Sequence, residues 1–224
     1  LSQKPMGAKV SVIVPIKDEP CASVLVGKIH EVLASTDHEV IIVDKSAVPE
    51  CLEGAIVVRQ RSDGLGRAIL EGLKYARGDF IVTINGDLSH NPGDLPRMLR
   101  MTSHYDIVVG SRYVPGARST DASYRKVISQ VFRLLAKLLL GLKVEDPLSG
   151  FSVVRHEVFR AIKLDPIGFK IVTEVLYKAS SRGFRVTEVP ITFERRRGGR
   201  SKAGIREAAR TLALLITLGL GKSN

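Results

Sequence analysis

Residues 10–19 read VSVIVPIKDE, a short β-branched run that reaches a proline at position 15 and leads, after Ile16, into charged residues. A run of this kind is typical of a strand that is buried on both faces of a parallel sheet. The charged residues then fall at the carboxyl end of the strand, which is the edge where open α/β sheets bind ligands. The segment therefore predicts the first strand of an α/β fold and one side of a ligand site.

The chain continues with an alternation of short apolar runs and helix-like segments. Alternation at this spacing predicts an α/β fold with a doubly wound, mainly parallel sheet flanked by helices. No internal repeat or low-complexity linker interrupts the sequence, so we predict a single domain over residues 1–224. The further strand-like runs are 40–43, 55–58, 79–84, 106–109 and 185–193, and the helix-like segments are 22–33, 65–76, 93–101, 157–162 and 171–181.

The composition is that of an ordinary globular domain, with 44% hydrophobic and 25% charged residues. The two cysteines, Cys21 and Cys51, lack the spacing of a disulfide framework or a zinc site and indicate free thiols in a reducing compartment. The first ten residues contain no apolar run of the signal-peptide type. These features favour the cytoplasmic side of the cell.

The net charge of +11 is concentrated in two segments, residues 122–143 and residues 182–206, which together hold 13 bases and 2 acids. A localised basic surface indicates an anionic partner, such as a phosphate, a nucleic acid or an anionic lipid surface. Only 5% of the residues are aromatic, none is Trp, and no helix-turn-helix or RNA-recognition pattern occurs. These observations argue against a nucleic acid.

Two amphipathic segments lie in or beside the basic regions, at residues 123–142 and 203–220. An apolar stripe with basic residues elsewhere on the helix fits packing against the protein core, and it equally fits a helix lying in a membrane interface. The uncharged stretch 211–221 is too short to span a bilayer, which requires about 20 residues.

Polar residues also follow the second and fourth predicted strands. Asp44 follows the second, and Asn85, Asp87 and Ser89 alternate after the fourth. In extended backbone these three side chains would point to one side. Their oxygen atoms suit Mg²⁺ or Mn²⁺ shared with a diphosphate, although a simple polar turn is the alternative.

Eight segments, in order, resemble the inverting family 2 glycosyltransferases, and in particular the dolichol-phosphate mannose synthase group. Together they extend over most of the chain and are far more specific than any one motif. They are VPIKDE (14–19), VDKS (43–46), DGLGRAILEGLKYARGDF (63–80), INGDLSHNP (84–92), GSRYVPG (110–116), DPLSGF (146–151), GFKIVTEVLYKA (168–179) and VPITFERRRGGRSK (189–202).

The resemblance implies a GT-A fold whose nucleotide-sugar-binding part covers about 9–110 and whose acceptor and membrane-interface part covers about 111–224. It implies inverting transfer of a hexose, expected to be mannose from GDP-mannose, to dolichyl or polyprenyl phosphate. The enzyme would be membrane-associated at the cytoplasmic face and would use Mg²⁺ or Mn²⁺. From the composition described above, we predict that it does not bind nucleic acid.

The resemblance also implies roles for individual residues. The nucleotide-sugar would contact Pro15, Lys17, Glu19, Asp44, Asn85, Asp87 and Arg112. The metal would be held by Asn85, Asp87 and Ser89. The acceptor phosphate would contact Arg112, Arg125, Arg196, Ser201 and Lys202. The residues expected to carry catalysis are Asp87, Arg112, Arg125 and Arg196.

Two departures from the family pattern concern charge near the metal. Asn85 stands where the family has the first Asp of its DxD motif, and Lys45 stands where it has a second Asp after Asp44. An amide oxygen can still bind the ion, so metal binding should weaken, and Lys45 could contact a phosphate directly. Two alternatives stay open: a relative that binds nucleotide-sugar without turnover, and a polyprenyl-phosphate glycosyltransferase that uses a UDP-sugar.

Overall fold

A computed structural model of the protein describes residues 9–48, 51–120, 123–168, 170–194 and 205–221, without the side chains of 123–127, 205 and 206. The strands are β1 (Val10–Ile16), β2 (His38–Asp44), β3 (Ala55–Arg59), β4 (Phe80–Thr83), β5 (Ile107–Ser111), β6 (Arg118–Ser119), β7 (Ser152–Arg155), β8 (Val186–Pro190) and β9 (Thr192–Phe193). The helices are α1 (Ala22–Val32), α2 (Leu65–Leu73), α3 (Leu95–Met101), α4 (Ser123–Leu140), α5 (His156–Ala161), α6 (Ile171–Ser180) and α7 (Ile205–Leu220), with a short 3-10 helix at Pro92–Asp94.

Seven strands form one sheet in the order β3-β2-β1-β4-β7-β5-β8, and β6 pairs with β9 in a small second sheet. Within the large sheet every pairing is parallel except those of β7 with β4 and β5. The prediction of a doubly wound, mainly parallel α/β sheet is confirmed. The β-branched runs of the central strands are buried on both faces, as parallel strands covered by helices require.

The antiparallel strand β7 was missing from the prediction. Its four residues directly follow the DPLSGF motif and were not assigned to any element, although Val153 and Val154 are both buried in the sheet. A run this short gives no periodicity by which to recognise a strand. Its position matters because it places Gly150 beside the loop after β4, where a Cβ at Gly150 would lie 2.9 Å from the Asn85 Oδ1 atom.

Helices α4 and α7 pack against each other and cover the sheet face that also carries α2 and α6. Ala136 and Leu140 of α4, together with Leu214, Leu215 and Leu218 of α7, are buried in that layer. Each helix therefore keeps one apolar stripe for the protein core. Among the helices of the described residues, none combines the length and the apolarity that crossing a membrane requires.

Candidate active site

The loops after β1 and β2 are joined at the carboxyl edge of the sheet. Ile16 is the register partner of Asp44, and the Lys45 amide donates to the Ile16 carbonyl at 3.0 Å. The Asp18 amide donates to Ser46 Oγ at 2.7 Å, and the Ala47 amide donates back to Asp18 Oδ1 at 3.2 Å. Asp18 has a φ of 52°, which this pair of hydrogen bonds stabilises. The two predicted nucleotide-binding loops therefore form one surface.

Asp44 presents a buried oxygen that suits a ligand. The residue has no exposed surface, and its Oδ1 accepts a hydrogen bond from the Ser46 amide at 2.7 Å. No donor within the described part of the chain hydrogen-bonds to Oδ2, and the Arg59 guanidinium is 4.0 Å away. A buried polar atom without a partner costs about 1–3 kcal/mol. Asp44 is therefore suited to accept a hydrogen bond from a bound base or ribose.

Lys45 forms an ion pair within the protein and is not placed for the phosphate contact suggested by the sequence. Its Nζ atom donates to Asp63 Oδ1 at 2.8 Å and to the Ser62 carbonyl at 2.9 Å. The hydrogen bond from Lys45, with its charge, lowers the pKa of the Asp63 carboxyl. Lys45 thus pairs with the loop before α2, and contact with a phosphate would require it to leave this pair.

The loop after β4 is not extended, so the prediction that residues 85, 87 and 89 alternate on one side is wrong. Gly86 and Asp87 form a turn, and Leu88 adopts a φ of 57°. The turn is fixed by packing, because Leu88 is buried in the core and a Cβ at Gly86 would lie 2.7 Å from Ile16 Cγ2.

The turn nevertheless brings Asp87 and Ser89 together. The Ser89 amide and hydroxyl both donate to Asp87 Oδ1, at 3.1 Å and 2.5 Å. Among the described residues no cluster of three or more His, Cys, Asp or Glu side chains could hold a metal. The Asp87 carboxylate with the Ser89 hydroxyl offers oxygen ligands that suit Mg²⁺ or Mn²⁺, because such ions take further ligands from phosphates.

Arg112 is oriented by Asp146, the first residue of the DPLSGF motif, which was not among the predicted site residues. Its Nε and Nη2 atoms donate to the two Asp146 carboxylate oxygens at 2.8 Å and 2.9 Å, and its amide adds a third hydrogen bond at 3.1 Å. The guanidinium carbon lies 5.3 Å from the ring centres of both Tyr113 and Phe193. A bidentate pair between two aromatic rings fixes the plane of the guanidinium.

Two further ionisable residues of this region were not singled out from the sequence. His90 is buried between the rings of Phe151 and Phe193, and burial lowers its pKa to about 4. Lys170 donates to the Leu148 carbonyl at 2.9 Å, and burial together with the charge of Arg112 lowers its pKa to about 8. His90 is therefore neutral at neutral pH. Nothing in their motifs distinguishes them from ordinary core residues.

The segment after β8 runs directly to the Asp87 loop. Phe193 forms an antiparallel bridge with His90, and the Glu194 amide donates to the Ser89 carbonyl at 2.8 Å. Residues 195–204 follow at once, so Arg196, Ser201 and Lys202 lie outside the described residues. The same holds for the side chain of Arg125 at the start of α4.

Comparison with known proteins identifies the family. The sequence model described as "Glycosyl transferase family 2" matches residues 11–163, about two thirds of the chain. The chain belongs to glycosyl transferase family 2. The matched range contains the Asp44, Asp87, Arg112 and Asp146 segments described above. The predicted resemblance to this family is thereby confirmed.

Three relatives of this family 2 chain carry informative names. The dolichol-phosphate mannosyltransferase of Pyrococcus furiosus is 34% identical over 87% of this chain and 59% of its own length. The undecaprenyl-phosphate mannosyltransferase of Micrococcus luteus is 37% identical over 66% of this chain and 63% of its own length. The polyprenol monophosphomannose synthase of Mycolicibacterium smegmatis is 31% identical over 88% and 83%. The chain spans about three fifths of the length of the first two.

Solved structures confirm the GT-A fold. Glucosyl-3-phosphoglycerate synthase from Mycobacterium tuberculosis with UDP gives a TM-score of 0.73 at 20% identity, over 95% of this chain and 80% of that chain. The complex of that enzyme with Mn²⁺ and UDP-glucose gives 0.70 at 21% identity, over 95% and 78%. At this identity they establish the fold alone.

Proposed function

We propose that this family 2 chain transfers a hexose from a nucleotide-sugar to dolichyl or polyprenyl phosphate, with inversion. The sugar we expect is mannose, in line with the names of the three relatives, and the donor we expect is GDP-mannose. The observation that carries the proposal is the contact between the Asp87 loop and the segment leading into ERRRGGRSK. It brings Glu194, the residue directly before the most basic stretch of the sequence, beside the loop that we propose for the metal and diphosphate.

The proposed division of labour follows the sheet. Residues of about 9–110 would bind the donor, with Pro15, Lys17, Glu19 and Asp44 around the nucleoside. Residues of about 111–224 would bind the acceptor. A Mg²⁺ or Mn²⁺ ion held by Asn85, Asp87 and Ser89 would supply positive charge to the leaving diphosphate.

The chemistry asks the protein for orientation and charge rather than for a general base. A polyprenyl phosphate is already an anion at neutral pH, so its oxygen can attack the anomeric carbon in line as the diphosphate leaves. Arg112, Arg125 and Arg196 would align the phosphate, because a guanidinium gives two parallel hydrogen bonds and an ammonium does not. Ser201 and Lys202 would complete the acceptor site.

The membrane-surface part of the proposal is supported by an apolar face. Side chains on α4 and α7 that do not reach the core expose a stripe on the outer side of the two packed helices. A surface of this kind on a soluble fold marks an interaction site, and beside basic residues it suits an anionic lipid interface. The exposed residues are Ile128, Val131, Leu134, Leu138, Leu139, Leu212, Ile216 and Leu220.

The basic residues of α4 contribute less to this surface than the sequence suggested. Arg133 and Lys137 pair with Glu145 at 3.2 Å and 2.6 Å, and the Arg133 guanidinium also lies over the Tyr113 ring at 4.7 Å. Glu145 falls just outside the acid-free segment 122–143. Membrane affinity should therefore depend strongly on the apolar stripe.

We expect Leu138→Glu to reduce binding to anionic vesicles by about tenfold or more. Leu138 is 70% exposed, and burying a leucine in lipid contributes about 1.5–3 kcal/mol, which the charged side chain forfeits. The measurement is co-sedimentation with phosphatidylglycerol-containing vesicles. Val24→Glu is the matched control, because Val24 is 52% exposed on α1, outside the proposed surface. Equal losses in the two variants would show that the stripe is not a membrane contact.

The second candidate is a relative that binds nucleotide-sugar without turnover, and the observation that favours it is Asn85 in place of an acidic ligand. The third candidate is a polyprenyl-phosphate glycosyltransferase that uses a UDP-sugar as donor.

Calorimetry with GDP and UDP, each with and without Mn²⁺, distinguishes the two donors. A transfer assay distinguishes binding from turnover. Failure of both nucleotides to bind would exclude all three candidates.

A further inference from the structure

A single carboxylate on β8 connects the oriented arginine with the exposed helix α4. Glu188 Oε1 accepts a hydrogen bond from the Asp146 amide at 2.8 Å, and Glu188 Oε2 accepts one from the Glu145 amide at 2.5 Å. The two residues it holds have different ion-pair partners. Asp146 pairs with Arg112, while Glu145 pairs with Arg133 and Lys137 of α4. Glu188 therefore fixes the backbone between two ion pairs.

The arrangement brings three acids close together, which requires compensation. Glu188, Glu145 and Asp146 would repel one another if they were not surrounded by donors. Glu188 accepts hydrogen bonds from two backbone amides, and Asp146 accepts three from Arg112. Arg133 and Lys137 neutralise Glu145. A glutamine could not replace Glu188, because its amide nitrogen is a donor and would face one of the two backbone amides.

The rest of the loop is anchored through its carbonyls. Thr173 Oγ1 donates to the Pro147 carbonyl at 2.7 Å, and Lys170 Nζ donates to the Leu148 carbonyl at 2.9 Å. Ser149 Oγ donates to the Gly110 carbonyl at 2.7 Å, which ties the loop to the strand before Arg112. Among the described side chains, Glu188 alone accepts from the amides of residues 145 and 146.

We propose that Glu188 is a positioning residue for sugar transfer. Glu188 holds the Glu145–Asp146 backbone, and Asp146 then orients the Arg112 guanidinium toward the reacting phosphate. Because Glu145 pairs with α4, the same hydrogen bonds also fix the distance between Arg112 and α4. The inference rests on the proposed function, because it assigns a purpose to the orientation of Arg112. In the proposed function, helix α4 contacts the membrane, and this contact sets how far the lipid phosphate lies from the protein. Because Glu188 fixes the position of Arg112 relative to α4, it would place Arg112 at the depth of that phosphate.

The test is a double-mutant cycle on transfer rate with Glu188→Gln and Arg112→Lys. We expect Glu188→Gln to lower kcat about tenfold while the KM for donor changes by less than twofold. The double variant should transfer within about twofold of Arg112→Lys alone, because Glu188 acts through Arg112. Losses that multiply would overturn the proposal. If Glu188→Gln does not fold, Glu188→Asp replaces it, since the shorter carboxylate can reach only one of the two amides.

Hydrogen exchange supplies a readout that does not depend on activity. The amides of Arg112, Glu145 and Asp146 should exchange at least tenfold faster in Glu188→Gln. The control is Glu39→Gln, which removes a carboxylate near the start of β2 that accepts hydrogen bonds from Ser11 Oγ and the Arg77 amide. This variant should leave kcat and the exchange of the Arg112, Glu145 and Asp146 amides unchanged. Unchanged exchange in Glu188→Gln overturns the positioning role. A wild-type protein that transfers no sugar overturns the proposed function, and exchange still tests the role of Glu188 in holding the loop.

Discussion

Arg112→Lys is expected to lower sugar transfer by about 10²-fold or more while leaving nucleotide binding within a few-fold. Lysine keeps the charge but cannot bridge both oxygens of Asp146, so the cation loses its fixed plane. It also loses the stacking between Tyr113 and Phe193. The substitution should disturb the alignment of the acceptor phosphate in the transition state. We therefore expect kcat to fall far more than the KM for donor rises.

The measurement is a steady-state transfer assay with a short polyprenyl phosphate, run beside nucleoside diphosphate calorimetry. Arg155→Lys is the matched control, because Arg155 pairs with Asp106 at 3.4 Å where β4 begins, at the opposite edge of the sheet. That variant should lose some stability and no more than about twofold in kcat. Normal turnover in Arg112→Lys would mean that the Arg112–Asp146 pair is structural and that the acceptor site lies elsewhere.

Asp87→Asn is expected to abolish the metal-dependent part of nucleoside diphosphate binding and to reduce transfer by at least 10²-fold. Asp87 is the one carboxylate of the Asn85, Asp87 and Ser89 set, so its loss leaves only neutral protein ligands for a divalent ion. The substitution Asn85→Asp adds a carboxylate at a second position of the set. It should tighten nucleoside diphosphate binding in the presence of Mn²⁺.

Calorimetry with and without Mn²⁺ measures both changes in one series. Binding without metal should be similar in the wild type, Asp87→Asn and Asn85→Asp, since the residues proposed to contact the nucleoside, Pro15, Lys17, Glu19 and Asp44, are unchanged in all three. An Asn85→Asp protein with unchanged affinity would show that position 85 does not contact the ion. Metal-dependent binding that survives in Asp87→Asn would remove the metal site from the Asp87 loop.

The parallel sheet could be predicted from sequence because its strands carry local signals. Val10–Ile16 and His38–Asp44 are β-branched runs with buried side chains on both faces, and each leads into polar residues. Strand β7 is the exception, since its four residues are defined by antiparallel pairing with β4 and β5 and not by periodicity. The conformation of residues 85–89 was also missed, because the burial of Leu88 depends on packing distant in sequence.

The motifs indicated where the site lies but not how its side chains pair. Arg112 was expected at the phosphates, yet its partner Asp146 is 34 residues away, and Glu188 is 42 residues beyond that. Arg133 and Lys137 similarly counted toward a basic surface until Glu145 was placed beside them. Side-chain pairings of this kind, 8 to 42 residues apart, leave no spacing pattern in the sequence, so they emerge only when the fold is known.

The most direct measurement of the central claim is transfer of radiolabelled mannose from GDP-mannose to a polyprenyl phosphate by the purified protein with Mn²⁺ or Mg²⁺. Parallel reactions contain UDP-hexoses, and the lipid fraction is extracted and analysed. We predict a mannosyl phospholipid that forms only when metal, donor and lipid phosphate are all present, with the anomeric configuration inverted. Nucleotide binding without lipid-linked product from any GDP- or UDP-sugar would contradict the account and favour a relative that binds donor without turnover.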